Sequence, residues 1–140
     1  NYFDYSTTSF SSFAKYDFEN KMVLDREDDV AHVKWGGNWR MPTKAEMDEL
    51  CTKCTWTWTT LNFNDGYKVT GPNGKSIFMP LAGYRYESNL IDVGSVGLYW
   101  SSSLSRSIPS LACGVYIEYN GVTDYEEYRL SGASVRAVCP

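Results

Sequence analysis

The chain has a single histidine, no lysine beyond Lys75, and no apolar run near the roughly 20 residues that cross a bilayer as a helix. With His32 as the sole imidazole, acid–base chemistry near neutral pH has one candidate group. A lone His beside acids on a short helix reads as a hydrogen-bonded structural residue. No GxSxG elbow accompanies any serine, so hydrolase chemistry lacks its nucleophile turn. The 13 Lys and Arg are scattered among 17 acids, for a formal charge of −4, and no basic patch of the kind that binds nucleic acid is present. No basic region followed by an apolar block opens the chain. A signal or lipid anchor would therefore lie upstream of Asn1.

Cysteine is sparse too. Cys51, Cys54, Cys113 and Cys139 allow three full pairings, and their spacing does not choose among them. The CxxC at Cys51 and Cys54 follows a predicted helix rather than preceding one, so its thiols lack the helix N-terminus that activates redox pairs and read as inert. A zinc site would need a second close pair, which Cys113 and Cys139 do not form. The acid run Asp25 to Asp29 lacks the alternating ligands, turn glycine and closing Glu of an EF-hand loop. No metal and no cofactor are expected.

At 140 residues, with 43% apolar and 21% charged residues, the chain has the size and composition of one globular domain spanning 1–140. Asn1 to Phe18, polar and aromatic without a period, reads as a loop pinned by its rings. Leu24 to Trp35 reads as a helix with Asp25 as N-cap, Glu27, Asp28 and Asp29 in its first turn, Val30, Val33 and Leu24 toward the core, and Gly36-Gly37 at its end. Thr43 and Glu46 form a capping box for a second helix, with Met47, Leu50, Cys51 and Cys54 on one face. Thr55 to Thr60 alternates Thr and Trp as a strand, and Tyr67 to Pro80 folds back around GPNG as a hairpin. Leu81 to Val96 reads as a loop. Strands are expected at Leu98 to Ser103, Ala112 to Tyr119, around Val122 to Tyr128 after the Asn120-Gly121 turn, and at Ser134 to Val138. The expected class is α+β, with two helices early and a small antiparallel sheet near the C-terminus.

That C-terminal part carries the functional signal. Eighteen of the thirty-nine residues from Gly94 to Gly132 are Ser, Gly or Tyr. Tyr supplies large, rigid amphipathic contact area, while Ser and Gly allow close approach, as in antibody-like paratopes. The bland reading is a structural sheet whose Tyr residues cover a core. The loop LSRSIPSL favours recognition, because its apolar residues are not needed for solvation.

The series LDREDDVAHVKWGGNWRMPTKAEMDEL, CTWTW, YKVTGPNGKSIFMPLAGYR, GLYWSSS and RLSGASVRAV, covering Val23 to Val138, resembles the bacterial major paralogous domain proteins. These belong to the C-type lectin-like superfamily with the formylglycine-generating-enzyme type of core. Some are surface or pilus-tip proteins of gut bacteria, and some are variable proteins of diversity-generating retroelements. The resemblance implies a C-type lectin-like fold, an extracellular or cell-surface location, and membership of a larger surface or pilus protein. It also implies a further strand before the segment that begins here, so that Asn1 would mark a truncated or processed start. The EPN or QPN and WND motifs of calcium-dependent lectins are missing, and calcium-mediated sugar binding is not implied.

In that family the C-terminal segment keeps a scaffold and varies its exposed residues. Carried over, Tyr99, Trp100, Ser101, Ser102, Arg129, Gly132, Ser134, Val135 and Arg136 match scaffold; read as residues, Trp100 belongs in the core and Arg136 bonds backbone carbonyls or an acid. The implied ligand-facing set is Leu98, Leu104, Ser105, Arg106, Ser107, Ile108, Ser110, Cys113, Gly114, Tyr116, Tyr125, Tyr128, Leu130 and Ser131. The function implied is non-catalytic binding of an unknown protein or surface molecule. The alternatives are a structural fimbrial or adhesin tip subunit, and an oxidase of the formylglycine-generating type, for which Cys113 and Cys139 are too far apart in sequence.

Overall fold

The acid run starts its helix later than the spacing predicts. The computed structural model describes residues 15–16 and 21–140, so the loop expected over 1–18 lies outside the described residues except for Lys15 and Tyr16. The Asp28 and Asp29 amides both donate to the Asp25 carbonyl at 3.0 Å, forming a turn. Helix α1 spans only Val30–Trp35, with Asp29, not Asp25, as its N-cap and no acid in its first turn. The Asp25 carboxylate is engaged elsewhere, by Lys21 at 2.7 Å and Lys15 at 3.4 Å. Gly36, at φ 66, ends the helix as expected. So short a helix presses only its first turn on the core: Val30 is buried, whereas Val33 is 63% exposed rather than core-facing.

Helix α2 (Lys44–Lys53) begins where the sequence places it, with the Thr43–Glu46 capping box complete. Its Met47 is buried, and Leu50, Cys51 and Cys54 pack beside it. Arg40 grips Glu46 through two bonds of 2.6 and 2.7 Å. That guanidinium, outweighing partial burial and helped by the Thr43 amide, holds the Glu46 carboxyl down to about 2. A carboxylate whose folded pKa is depressed adds stability above its unfolded pKa of ~4.3 and loses it as pH falls toward the folded value. A carboxyl NMR titration should give a Glu46 midpoint near 2. In Arg40→Gln the midpoint should rise toward the ordinary range of ~4.3, and an unmoved midpoint would remove Arg40 as the cause.

Strand β1 (Thr55–Leu61) puts Trp56 and Trp58 against the core, as the Thr-Trp alternation implies. It pairs antiparallel with β2 (Asn64–Thr70), which pairs with β3 (Ser76–Pro80) around the GPNG turn. The β1–β2 hairpin turns on Asn62 and Phe63, both left-handed at φ 50 and 62. Two successive left-handed residues are what a tight twisted hairpin needs, but Phe there gives no sequence signal. The stretch expected as a loop contains a further short hairpin, β4 (Tyr84–Tyr86) with β5 (Asn89–Ile91). Strands β6 (Val96–Leu104), β7 (Leu111–Glu118) and β8 (Gly121–Tyr128) form an antiparallel sheet in that order. Ser134 to Val138 is not a strand: it touches the fold through isolated bridges, Ser134 to Tyr99 and Val138 to Arg40. The architecture is α+β, with two helices followed by mainly antiparallel sheets. Among the described residues no helix is long and apolar enough to cross a membrane.

Strands β6 and β7 are covered on both faces, which explains the nearly unbroken apolar run of β7, while the edge strand β8 is largely exposed. On one face Trp100, Leu104 and Ala112 pack with Tyr16, Leu24, Val30, Ala31 and Met41. On the other, Tyr99, Val115 and Ile117 pack with Met47 of α2 and with Tyr67, Val69 and Met79. Trp100 is thus a core residue, as expected.

Candidate functional site

Side chains alternate faces along a strand, and the turn at Tyr119-Asn120 fixes which residues share a face. In β7 and β8, Gly114 lies opposite Tyr125 and Tyr116 opposite Thr123, with Leu98 of β6 beside Tyr116. Toward Trp100 this face is roofed by the core. Toward Tyr116 it opens. The Tyr116 and Tyr125 rings meet at 5.4 Å and 43°, the first half-buried and the second exposed. The parallel bridge Gly83 to Gly97 lays β4 alongside β6 and brings up Tyr84. Partial burial, then Glu118 and Asp92, then the Tyr84 and Tyr125 hydroxyls push the Tyr116 hydroxyl upward. Burial, Glu127 and Tyr84 do the same to Tyr125. The result is a cluster of three tyrosines fringed by Asp92, Glu118 and Glu127.

The opposite face holds a different group. Cys113 lies across from Glu126, donates its thiol to the Leu104 carbonyl at 3.2 Å and approaches the Glu126 carboxylate at 3.9 Å. Burial first, and the Glu126 charge second, push this thiol up to about 11. Ser105 donates to Glu126 at 2.8 Å and accepts from the Ser107 and Ile108 amides at 3.2 and 3.1 Å. Arg106, with Lys44, Asp48 and Glu126, borders an open groove of about 450 Å³.

The ligand-facing set implied by resemblance therefore divides. Leu98, Leu104, Ser105, Cys113, Gly114 and Ser131 are buried, so they offer little or no side-chain surface to a ligand. Ser110, Tyr116 and Leu130 are half-buried, and Arg106, Ser107, Ile108, Tyr125 and Tyr128 are exposed. Tyr116 and Tyr125 come together, whereas Tyr128, paired with Leu111, points to the Cys113 face. Tyr84, Glu127 and Glu126 were not anticipated. A two-residue turn at Asn120-Gly121 would set Cys113 across from Tyr128; the observed turn lies one residue earlier, at Tyr119-Asn120, and that shift places Glu126 against Cys113. Tyr84 arrives through a long-range bridge that leaves no local pattern.

Arg136 is exposed and, against expectation, bonds no carbonyl or acid among the described residues. Arg129 takes that role, buried to 2% and donating to the Tyr16 and Pro109 carbonyls at 3.0 and 3.2 Å. The Asp25, Glu27 and Asp28 carboxylates do converge within 4.8 Å. The ammonium of Lys15 sits among them, 2.7 Å from Glu27 and 3.4 Å from Asp25 and bonded to Asp28, so a side chain of the protein supplies the positive charge. His32 is held by a bond from Arg26 Nε at 3.1 Å. Cys51 is pushed up to about 11, chiefly by burial.

Compared with family models, curated proteins and solved structures, the chain gave no match.

Proposed function

We propose that the chain is a non-catalytic, surface-displayed ligand-binding domain of C-type lectin-like fold, similar to retroelement-diversified variable proteins, whose contact surface centres on Tyr116 and Tyr125. The observation that carries this reading is the open tyrosine cluster where the exposed edge strand β8 meets strands β6 and β7, which are themselves largely buried. A core does not require it. Tyrosine rings give contact energy at low conformational cost, and aromatic residues dominate interface hot spots. The acidic fringe of Asp92, Glu118 and Glu127 suits a protein or surface molecule presenting cationic groups, which the ring faces also attract.

The oxidase alternative fits less well. Thiolates are the reactive form, and Cys51 and Cys113, both pushed up to about 11, stay protonated at neutral pH. A structural fimbrial or adhesin subunit would use the same fold without a free contact face.

The test is binding of labelled protein to intact target cells, compared among wild type, Tyr116→Ala with Tyr125→Ala, and Arg106→Ala. The double variant should lose about tenfold or more in affinity at an unchanged melting temperature. Arg106→Ala, on the other side of the sheet, should bind nearly as wild type. Full binding by the double variant would overturn the assignment of the face.

A further inference from the structure

The backbone between Ser134 and Val138 belongs to no strand, but its isolated bridges leave it bonded along one edge only. Ala133, Val135 and Ala137 all pack on the core while Arg136 between them is exposed, a period-two alternation. In a strand, successive residues direct their N–H and C=O groups to opposite edges. Ser134 exchanges bonds with Leu98 and Trp100 at 2.9 Å, and Val138 with Arg40 at 2.9 and 3.0 Å. Val135 and Ala137 therefore face the other edge, and their amides and carbonyls bond to nothing among the described residues. Such an edge is a template for strand addition.

Beside this edge is a cleft of about 540 Å³ lined by Trp35, Trp39, Val135, Arg136 and Ala137. Trp35 and Trp39 are 59% and 41% exposed, and their rings meet edge to face at 5.5 Å. Arg136 is the one ionisable residue in the lining; its charge acts on the Tyr99 hydroxyl, but it makes no hydrogen bond or ion pair among the described residues. Exposed Trp beside Arg is the composition of an interface hot spot, and the guanidinium selects a carboxylate.

We infer that this edge and cleft form a second binding site, which takes an extended acidic peptide segment of a partner protein. The peptide pairs with Val135 and Ala137, an apolar side chain packs against the exposed surface of the tryptophan pair, and a neighbouring carboxylate meets Arg136. The site shares no residue with the tyrosine face, and either can fail without the other.

The probe is a blocked peptide, Thr-Val-Glu-Trp-Glu-Val-Thr, titrated into the full chain and followed by amide NMR and hydrogen exchange. The Val135 and Ala137 amides should slow on exchange by about tenfold or more, with shifts of the Trp35 and Trp39 indole signals. Replacing both glutamates of the peptide by lysine should weaken binding roughly fivefold. Arg136→Glu should reverse that preference, and Tyr125→Ala should leave binding as it was. The proposal is overturned by amides that stay unprotected or by binding indifferent to peptide charge. Protection already present in the free chain would overturn it too, whether as a monomer covered by its own segment or as a dimer in sedimentation.

Discussion

Replacing Asp29 by alanine will lower the unfolding free energy by about 3 kcal/mol, and the melting temperature by roughly 10 °C. One buried carboxylate ties three backbone donors: Oδ1 accepts from the Ala31 and His32 amides at 2.9 and 3.2 Å, and Oδ2 from the Met41 amide at 2.8 Å. The first two cap α1. The third fixes the segment that leads into α2, and Met41 is itself fully buried. Alanine removes a helix cap, worth about 1 kcal/mol. It also leaves the buried Met41 amide without an acceptor, at about 1–3 kcal/mol. The Asp29→Asn variant separates the two effects. Its side-chain amide oxygen can still cap the helix, but the NH2 then faces the Met41 N–H, donor against donor, so this variant should remain clearly destabilised. Thermal unfolding of both variants decides. If Asp29→Asn melts as wild type, the Met41 bond carries little and the capping role stands alone.

The same residue shows where sequence reasoning stops. Five residues from Asp25 to Asp29 include three aspartates able to cap a helix, and local rules cannot rank them. Asp29 is selected by the Met41 amide, twelve positions away, while Asp25 and Asp28 are held by Lys15 and Lys21. Where the determinant is local the sequence is a good guide. The Thr43–Glu46 box starts α2, the Thr-Trp alternation gives β1, and the Asn120-Gly121 signal marks the β7–β8 turn to within one residue, at Tyr119-Asn120. Where it is not, the elements are hidden: the Asn62-Phe63 hairpin has no glycine to announce it, and β4 acquires its place through the Gly83–Gly97 bridge. Candidate site residues follow the same division. Tyr116 and Tyr125 are legible from composition and alternation. The burial of Leu98, Ser105 and Cys113 depends on what covers each face, which one strand's pattern does not contain.

Gly114 decides how much of the C-terminal segment is free to contact ligands. It belongs to the face that carries Tyr116 and Tyr125, so resemblance places it among the ligand-facing positions. Its missing side chain is nevertheless a packing requirement. A Cβ there would stand 2.6 Å from the Tyr99 carbonyl oxygen of the neighbouring strand and 3.5 Å from the Trp100 ring. The first contact is with backbone inside a paired ladder, which cannot move aside without shifting the Tyr99–Val115 and Trp100–Gly114 register. Gly114→Ala should therefore cost about 3 kcal/mol, and Gly114→Val should fail to give soluble folded protein. Tyr125→Ala, directly across the ladder and exposed, should stay within about 1 kcal/mol of wild type. Thermal unfolding of Gly114→Ala and Tyr125→Ala checks both values, and the outcome reaches beyond stability. With the expected contrast, variation in this segment is tolerable at Tyr125 but not at Gly114, and the usable surface shrinks to the open end of the face. If Gly114→Ala melts as wild type, the strands can part at that point, and Gly114 returns to the set of positions a ligand can select.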